Sequence, residues 1–272
     1  MGNQLTFSGS GDLDNGMNVS MSFILDQGDD ETDTTTGAPN SPFDSHSVSI
    51  GMDGMGTLTF SGEGGDSAVG AMDGSAAGGM WDNFQATADE PESGHSSNDM
   101  LSYALPSILD DLALVASYTP NGDGGADSST SFSATYTGVE NLTLAYGQGE
   151  DNKETLTADA TAWKVSYSYD AFTVTATDLE YDHETATSSR DMSSFAVSYL
   201  LPGDAISIGY GEEEITDGSA SSEKAEFSGF DVSYTAGGMT LKAYAQEAEN
   251  IDYSTTATKD QEVWAVNATF AF

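Results

Sequence analysis

Apolar and small polar residues alternate along this chain from one end to the other. A period of two is the mark of β-strands whose two faces meet unlike surroundings. In "MNVSMSFIL" the apolar set is Met17, Val19, Met21, Phe23 and Leu25, against Asn18, Ser20 and Ser22, with Ile24 the exception. "DLALVASY" gives Leu112, Leu114, Ala116 and Tyr118, and "WKVSYSY" gives Trp163, Val165, Tyr167 and Tyr169 against Lys164, Ser166 and Ser168. The chain closes on "EVWAVNATFAF", where Trp264, Val266, Ala268, Phe270 and Phe272 share one parity.

The pattern predicts fifteen strands, near 3–11, 17–26, 45–52, 57–62, 99–105, 111–119, 129–137, 142–149, 159–169, 171–179, 191–200, 205–212, 225–235, 239–247 and 260–272. Short connections with turn residues ("DLDNG", "DGMG", "PSILDD", "GVEN", "YD", "LPGD", "AGG") alternate with longer loops rich in Gly, Ser, Thr and Asp. Antiparallel strands with short turns at one end and long loops at the other make an up-and-down β-barrel that spans a membrane. The expected fold is therefore all-β, a single barrel domain over 1–272.

Composition agrees. The longest apolar run, "LALVA" at 112–116, is far short of the ~20 residues of a spanning helix. A closed barrel needs no such run, because it satisfies its backbone between strands. The parity opposite the apolar one is mostly Ser, Thr, Ala, Gly and Asn. A dry sandwich core would need large apolar side chains there, whereas a water-filled lumen needs small polar ones. A secreted acidic β-protein, such as a calcium-binding adhesin or sandwich module with one wet face, is the alternative. A signal peptide is not visible in "MGNQLTFSGSG".

Charge narrows the partners. There are 45 acidic and 6 basic residues, a formal net charge of −39, and residues 1–152 hold no Lys or Arg. Nucleic acid needs clustered cations and is excluded as a partner. The 27 aromatic residues are too many for a solvated acidic tail. There is no cysteine, so neither disulfides nor thiolate metal sites are expected.

Fifteen is odd, and single-chain bacterial barrels have even strand numbers. If the last strand ends on the short-turn side, the first begins on the long-loop side, one strand from closure. The simplest expectation is a further N-terminal strand and loop ahead of Met1. A strand hidden in a loop, or direct parallel pairing of the first and last strands, are the alternatives.

Several segments resemble a general Gram-negative porin, of the small acidic alphaproteobacterial type. "NQLTFSGSGDLDNGMNVSMSFILD" is similar to the second hairpin of that family. "GMGTLTFSGEGGDSAVGAMD" resembles its G-x-G-T-L strand leading into the pore-constricting loop. "NDMLSYALPSILDDLALVASYTP" resembles the hairpin that follows, and "NATFAF" the terminal strand. The family's first strand has no counterpart. The resemblance implies a sixteen-stranded outer-membrane barrel, a homotrimer, passing small hydrophilic solutes by passive diffusion without cofactor or catalysis. It implies that 63–98, also the longest loop, folds inward and narrows the channel. It further implies that the terminal strand, with Trp264, Phe270 and Phe272, carries the barrel's assembly signal.

On that reading the constriction carboxylates come from Glu63, Asp66, Asp73, Asp82, Asp89, Glu90, Glu92 and Asp99. The family sets such carboxylates against basic residues on early strands, and this chain departs there. Its remaining lumen cations are Lys164 and Lys242, on the polar parity beside Trp163 and Leu241. Carboxylates facing few cations favour cation passage. A solute-specific channel would need a ladder of binding groups on the lumen parity, where Tyr244 is the sole aromatic candidate. The acidic stretches "LDQGDDETD" (25–33) and "GEEEITDG" (211–218) are expected to be external loops. They could take Ca²⁺ or Mg²⁺ and bridge to lipopolysaccharide phosphates in the outer-membrane lipid. "GHSSND" supplies the residue types of a hydrolase only as loop neighbours, so no catalytic residue is expected.

Overall fold

The computed structural model describes residues 5–25, 43–72, 74–84, 99–120, 128–152, 157–185, 189–203, 205–218, 223–253 and 260–270. They form fifteen strands: β1 Leu5–Asp12, β2 Asn18–Leu25, β3 Phe43–Met52, β4 Gly56–Glu63, β5 Met100–Ala104, β6 Leu112–Thr119, β7 Ser129–Val139, β8 Leu142–Asp151, β9 Ala158–Tyr169, β10 Phe172–His183, β11 Arg190–Leu200, β12 Ile206–Asp217, β13 Ala225–Ala236, β14 Met239–Glu249 and β15 Gln261–Phe270. Each pairs antiparallel with the next in a single meandering sheet. Among the described residues nothing pairs β1 with β15, and these two strands run in the same direction.

The fifteen expected strands are all present. Two run well past their expected ends: β10 through Glu180 and Asp182 to His183, and β12 through Glu213 and Glu214 to Asp217. "GEEEITDG" is therefore strand up to Asp217 and not an external loop. Acidic residues read as solvated loop in the sequence, but here they continue the alternation. The stretch 26–33 lies outside the described residues.

The turns follow local chemistry. Ala236 pairs with Met239 across a two-residue turn, and Gly237 and Gly238 both have positive φ (57° and 80°). That conformation suits a hairpin of right-handed twist, and glycine adopts it without a steric penalty.

Register assigns the faces, because residues directly paired across antiparallel strands share one face. The outer face is apolar toward the short turns: Ile206, Ile208 and Tyr210 on β12 meet Tyr234, Val232 and Phe230 on β13. Aromatic rings bound this belt. Trp163, Phe195, Tyr210, Phe230 and Trp264 mark its long-loop side, and Tyr169, Phe172, Tyr199, Tyr234 and Phe270 its short-turn side. Neighbours touch, as with Tyr210 and Phe230, whose ring centroids are 4.6 Å apart, and Phe172 and Tyr199 at 4.4 Å. Much of this surface is exposed, Trp264 to 79 % and Val266 to 65 %. So continuous an apolar band belongs in lipid, with aromatics at the interfaces.

Beyond the upper rings, every strand from β8 to β15 turns acidic on its outer face. Glu150, Asp159, Asp178, Asp191, Glu212, Glu226, Glu247 and Glu262 begin this collar. Lys224, just ahead of β13, pairs with Glu214 there, and that carboxylate holds its ammonium above the usual lysine value. The outer faces of β1, β2, β5 and β6 carry no charged residue: Phe7, Met21, Leu101 and Tyr118 are typical.

Candidate functional site

The segment after β4 does not stand away from the sheet. Residues 64–72 and 74–84 fold across the inner, small-residue face. Two short 3₁₀ turns, Gly70–Met72 and Met80–Asn83, shape it. The wall supplies polar groups for its backbone at successive strands. Ala68 N donates to Ser117 Oγ on β6 at 3.0 Å, and Val69 N to Ser131 Oγ on β7 at 3.3 Å. Ala76 N donates to Thr177 Oγ1 on β10 and Ser194 Oγ on β11, at 3.1 and 2.7 Å. Asn83 Nδ2 reaches Gln246 Oε1 on β14 at 3.0 Å, and Tyr244 Oη donates back to Asn83 Oδ1 at 3.1 Å.

The strongest hold is Glu213 on β12, 2 % exposed and on the inner parity. Its Oε1 accepts from Gly79 N at 2.8 Å and from the Ser75 hydroxyl, and its Oε2 accepts from Met80 N at 2.6 Å. These donors pair both oxygens of a carboxyl group that burial would otherwise leave unsatisfied.

Apolar packing fixes the rest. Val69, Met72, Met80 and Trp81 of this segment bury against Ala160, Ala162, Leu179, Met192, Ile215, Ala225, Phe227 and Ala248, with Ile251 from the last long connection. Tyr253 packs at the margin, and Arg190 lies 5.8 Å over its ring. The inner face of β9–β14 toward the long-loop end is thus a dry core rather than the uniformly wet wall expected from the small-residue parity. Two glycines make room for it. A Cβ on Gly211 would stand 2.7 Å from Ala77 Cβ, and one on Gly147 would stand 2.9 Å from Met72 Sδ.

The expected site residues divide. Glu63 ends β4 half-buried, while Asp66, Asp82 and Asp99 are exposed. Asp73, Asp89, Glu90, Glu92 and Phe272 lie outside the described residues. Lys164 pairs with Ala145 and Thr177, and Lys242 with Ser233 and Asn267, so both belong to the inner face. Trp264 and Phe270 are on the outer one. Sequence reasoning missed Glu213 and the dry core. A signal was present: Leu179, Met192, Ile215 and Phe227 are large apolar residues on the otherwise hydroxyl-rich parity.

A family model of the Gram-negative porins matches residues 1–231. The chain belongs to the Gram-negative porins. It is an outer-membrane channel and not an enzyme. Solved porins share the fold at low identity. An anion-selective porin from Comamonas acidovorans is 14 % identical, with a TM-score of 0.65 over 98 % of this chain and 86 % of that one. An engineered variant of the Rh. blastica porin is 15 % identical, with a TM-score of 0.65 over 99 % and 89 %. OmpT, an outer membrane protein of Vibrio cholerae, is 13 % identical, with a TM-score of 0.64 over 97 % and 86 %. No curated protein matches this porin in sequence. Among the described residues, no group of three or more His, Asp or Glu is placed to hold a metal ion.

Proposed function

We propose that this porin is a general diffusion channel for small hydrophilic solutes, that the 63–98 loop is its constriction, and that it prefers cations. One observation carries the charge preference: the first 152 residues, which build the wall from β1 to β8, contain no Lys or Arg. The loop contributes Glu63, Asp66, Asp73, Asp82, Asp89, Glu90, Glu92 and Asp99, and the inner wall answers with Lys164 and Lys242. A fold that also serves an anion-selective porin does not fix the sign of selectivity; the charges lining the pore do. The reversal potential in a planar bilayer under a KCl gradient tests the reading. A cation-selective sign is expected, and an anion-selective sign refutes it.

Assembly as a homotrimer is the companion proposal. The outer faces of β1, β2, β5 and β6, which carry no charged residue, fit apposition of copies, and the acidic collar of β8–β15 fits the lipid side. There Ca²⁺ or Mg²⁺ would bridge its carboxylates to lipopolysaccharide phosphates. Heat-dependent gel mobility after mild detergent extraction checks the trimer, and a chelator shift in that mobility checks the bridging ions.

A further inference from the structure

A transverse row of hydroxyls crosses the inner face, one on each of seven strands. Ser10 pairs with Ser20, Ser20 with Ser49, Ser49 with Thr59, Thr59 with Ser102, Ser102 with Ser117, and Ser117 with Ser131. At a strand spacing of about 4.8 Å, its six steps cover an arc of roughly 29 Å. One end of the row meets the inward loop, because Ser117 and Ser131 are the two hydroxyls that accept from Ala68 N and Val69 N. That end of the row lies at the height of the loop, and the other slants toward the short turns, Ser10 standing near the short-turn end of β1 and Ser20 near that of β2.

Coverage changes along it. Ser117 and Ser131 are buried beneath the loop, Ser20, Ser49, Thr59 and Ser102 are half-buried, and Ser10 is exposed. A second rank, Ser8, Ser22 and Ser47, runs two residues nearer the long-loop end. Together with Ser10, Ser20 and Ser49 these residues line an open concavity of about 590 Å³. Across the sheet, the upper inner face of β9–β14 is filled by the dry core around Trp81 and Phe227. Among the described residues, that part of the wall is covered by apolar side chains.

We propose that solutes follow this hydroxyl row between the constriction and the short-turn mouth, and that Ser10, Ser20, Ser49, Thr59 and Ser102 are specificity-determining residues of the channel. The proposal rests on the reading of 63–98 as the constriction. Each hydroxyl offers two lone pairs and one O–H. A partly dehydrated monovalent cation takes the lone pairs, and a small neutral polyol uses both. An anion finds O–H donors but no fixed cation, while it faces the loop carboxylates. The solute class is thus monovalent cations and small polyhydroxylated neutral molecules, with all charge discrimination left to the loop.

The chain has no cysteine, so an introduced thiol is unique. Ser20→Cys and Ser49→Cys in the full chain are to be recorded as single channels, before and after a cationic or an anionic methanethiosulfonate. Stepwise loss of current is expected at both positions, faster with the cationic reagent. Ala162→Cys, in the dry core, is expected to show none. Ser20→Lys should move the reversal potential toward the anion side. Thiols at 20 and 49 that stay unreactive, or react without changing the current, overturn the proposal. So does an unchanged reversal potential in Ser20→Lys. If the unsubstituted porin itself prefers anions while the thiols still block it, the cation reading has failed and the path stands.

Discussion

The Met80 backbone N–H donates to Glu213 Oε2 at 2.6 Å, joining the turn of the inward loop to a carboxylate that is 2 % exposed on β12. Gly79 N and the Ser75 hydroxyl converge on the other oxygen of the same group. One side chain thus holds three points of the loop. Glu213→Ala should leave those donors without partners, and each buried unsatisfied donor costs about 1–3 kcal/mol. The loop would come off the wall, giving higher open-channel noise and an altered conductance in single-channel records. Glu213→Gln keeps an acceptor for one or two donors and should fall between. A quiet Glu213→Ala channel of unchanged conductance would show that the loop is held by its apolar packing alone.

At Gly211 and Gly147 the loop packs directly against the wall. Gly211→Val places its Cβ 2.7 Å from Ala77 Cβ, and neither partner is the end of a flexible chain. Overpacking of this kind costs about 1–3 kcal/mol. The expected outcome is a folded barrel with a displaced loop, read as lowered thermal stability and increased proteolytic cleavage within 74–84. Trp81→Ala attacks the same docking from the other side. It empties part of the core formed with Phe227 and Ile251, at about 3–5 kcal/mol.

The strands were legible because lipid and water on opposite faces force a period of two. Fifteen were readable for that reason, together with the "AGG" turn, of which Ala236 proves to belong to β13. What escaped was the place where the inner face is neither lipid nor water. Glu213 lies between Glu212 and Glu214 and reads as one of three solvated acids, yet alternation turns it inward and its neighbours outward. Leu179, Met192, Ile215 and Phe227 break the small-polar parity, and only the docked loop gives that break a meaning. Tyr146 and Tyr210 belong mid-strand for a related reason. The strands outrun the apolar belt, so an aromatic at the interface need not be at a strand end.

Neutralising the exposed loop acids should weaken cation preference. Asp66→Asn with Asp82→Asn removes two carboxylates from a loop whose backbone is fixed by other groups, so the barrel should fold unchanged. The reversal potential should move toward zero, and more so in dilute salt, where screening is weaker. A shift that is the same in dilute and in molar salt would argue against a direct electrostatic role for these two groups.

Adjacent residues on β13 offer the sharpest test of which face meets lipid. Val232 is on the outer face, between Phe230 and Tyr234, and is 44 % exposed in the isolated chain. Ser233 is on the inner face, its hydroxyl 2.7 Å from that of Ser207. Arginine near the bilayer midplane on the lipid face of a barrel costs about 2–4 kcal/mol. Val232→Arg should therefore lower the unfolding free energy in bilayers by that order. Ser233→Arg, one residue along, should fold with little loss and instead shift ion selectivity toward anions, adding a third cation beside Lys164 and Lys242. Equal destabilisation by the two substitutions would contradict the assignment of faces on which the channel's path depends.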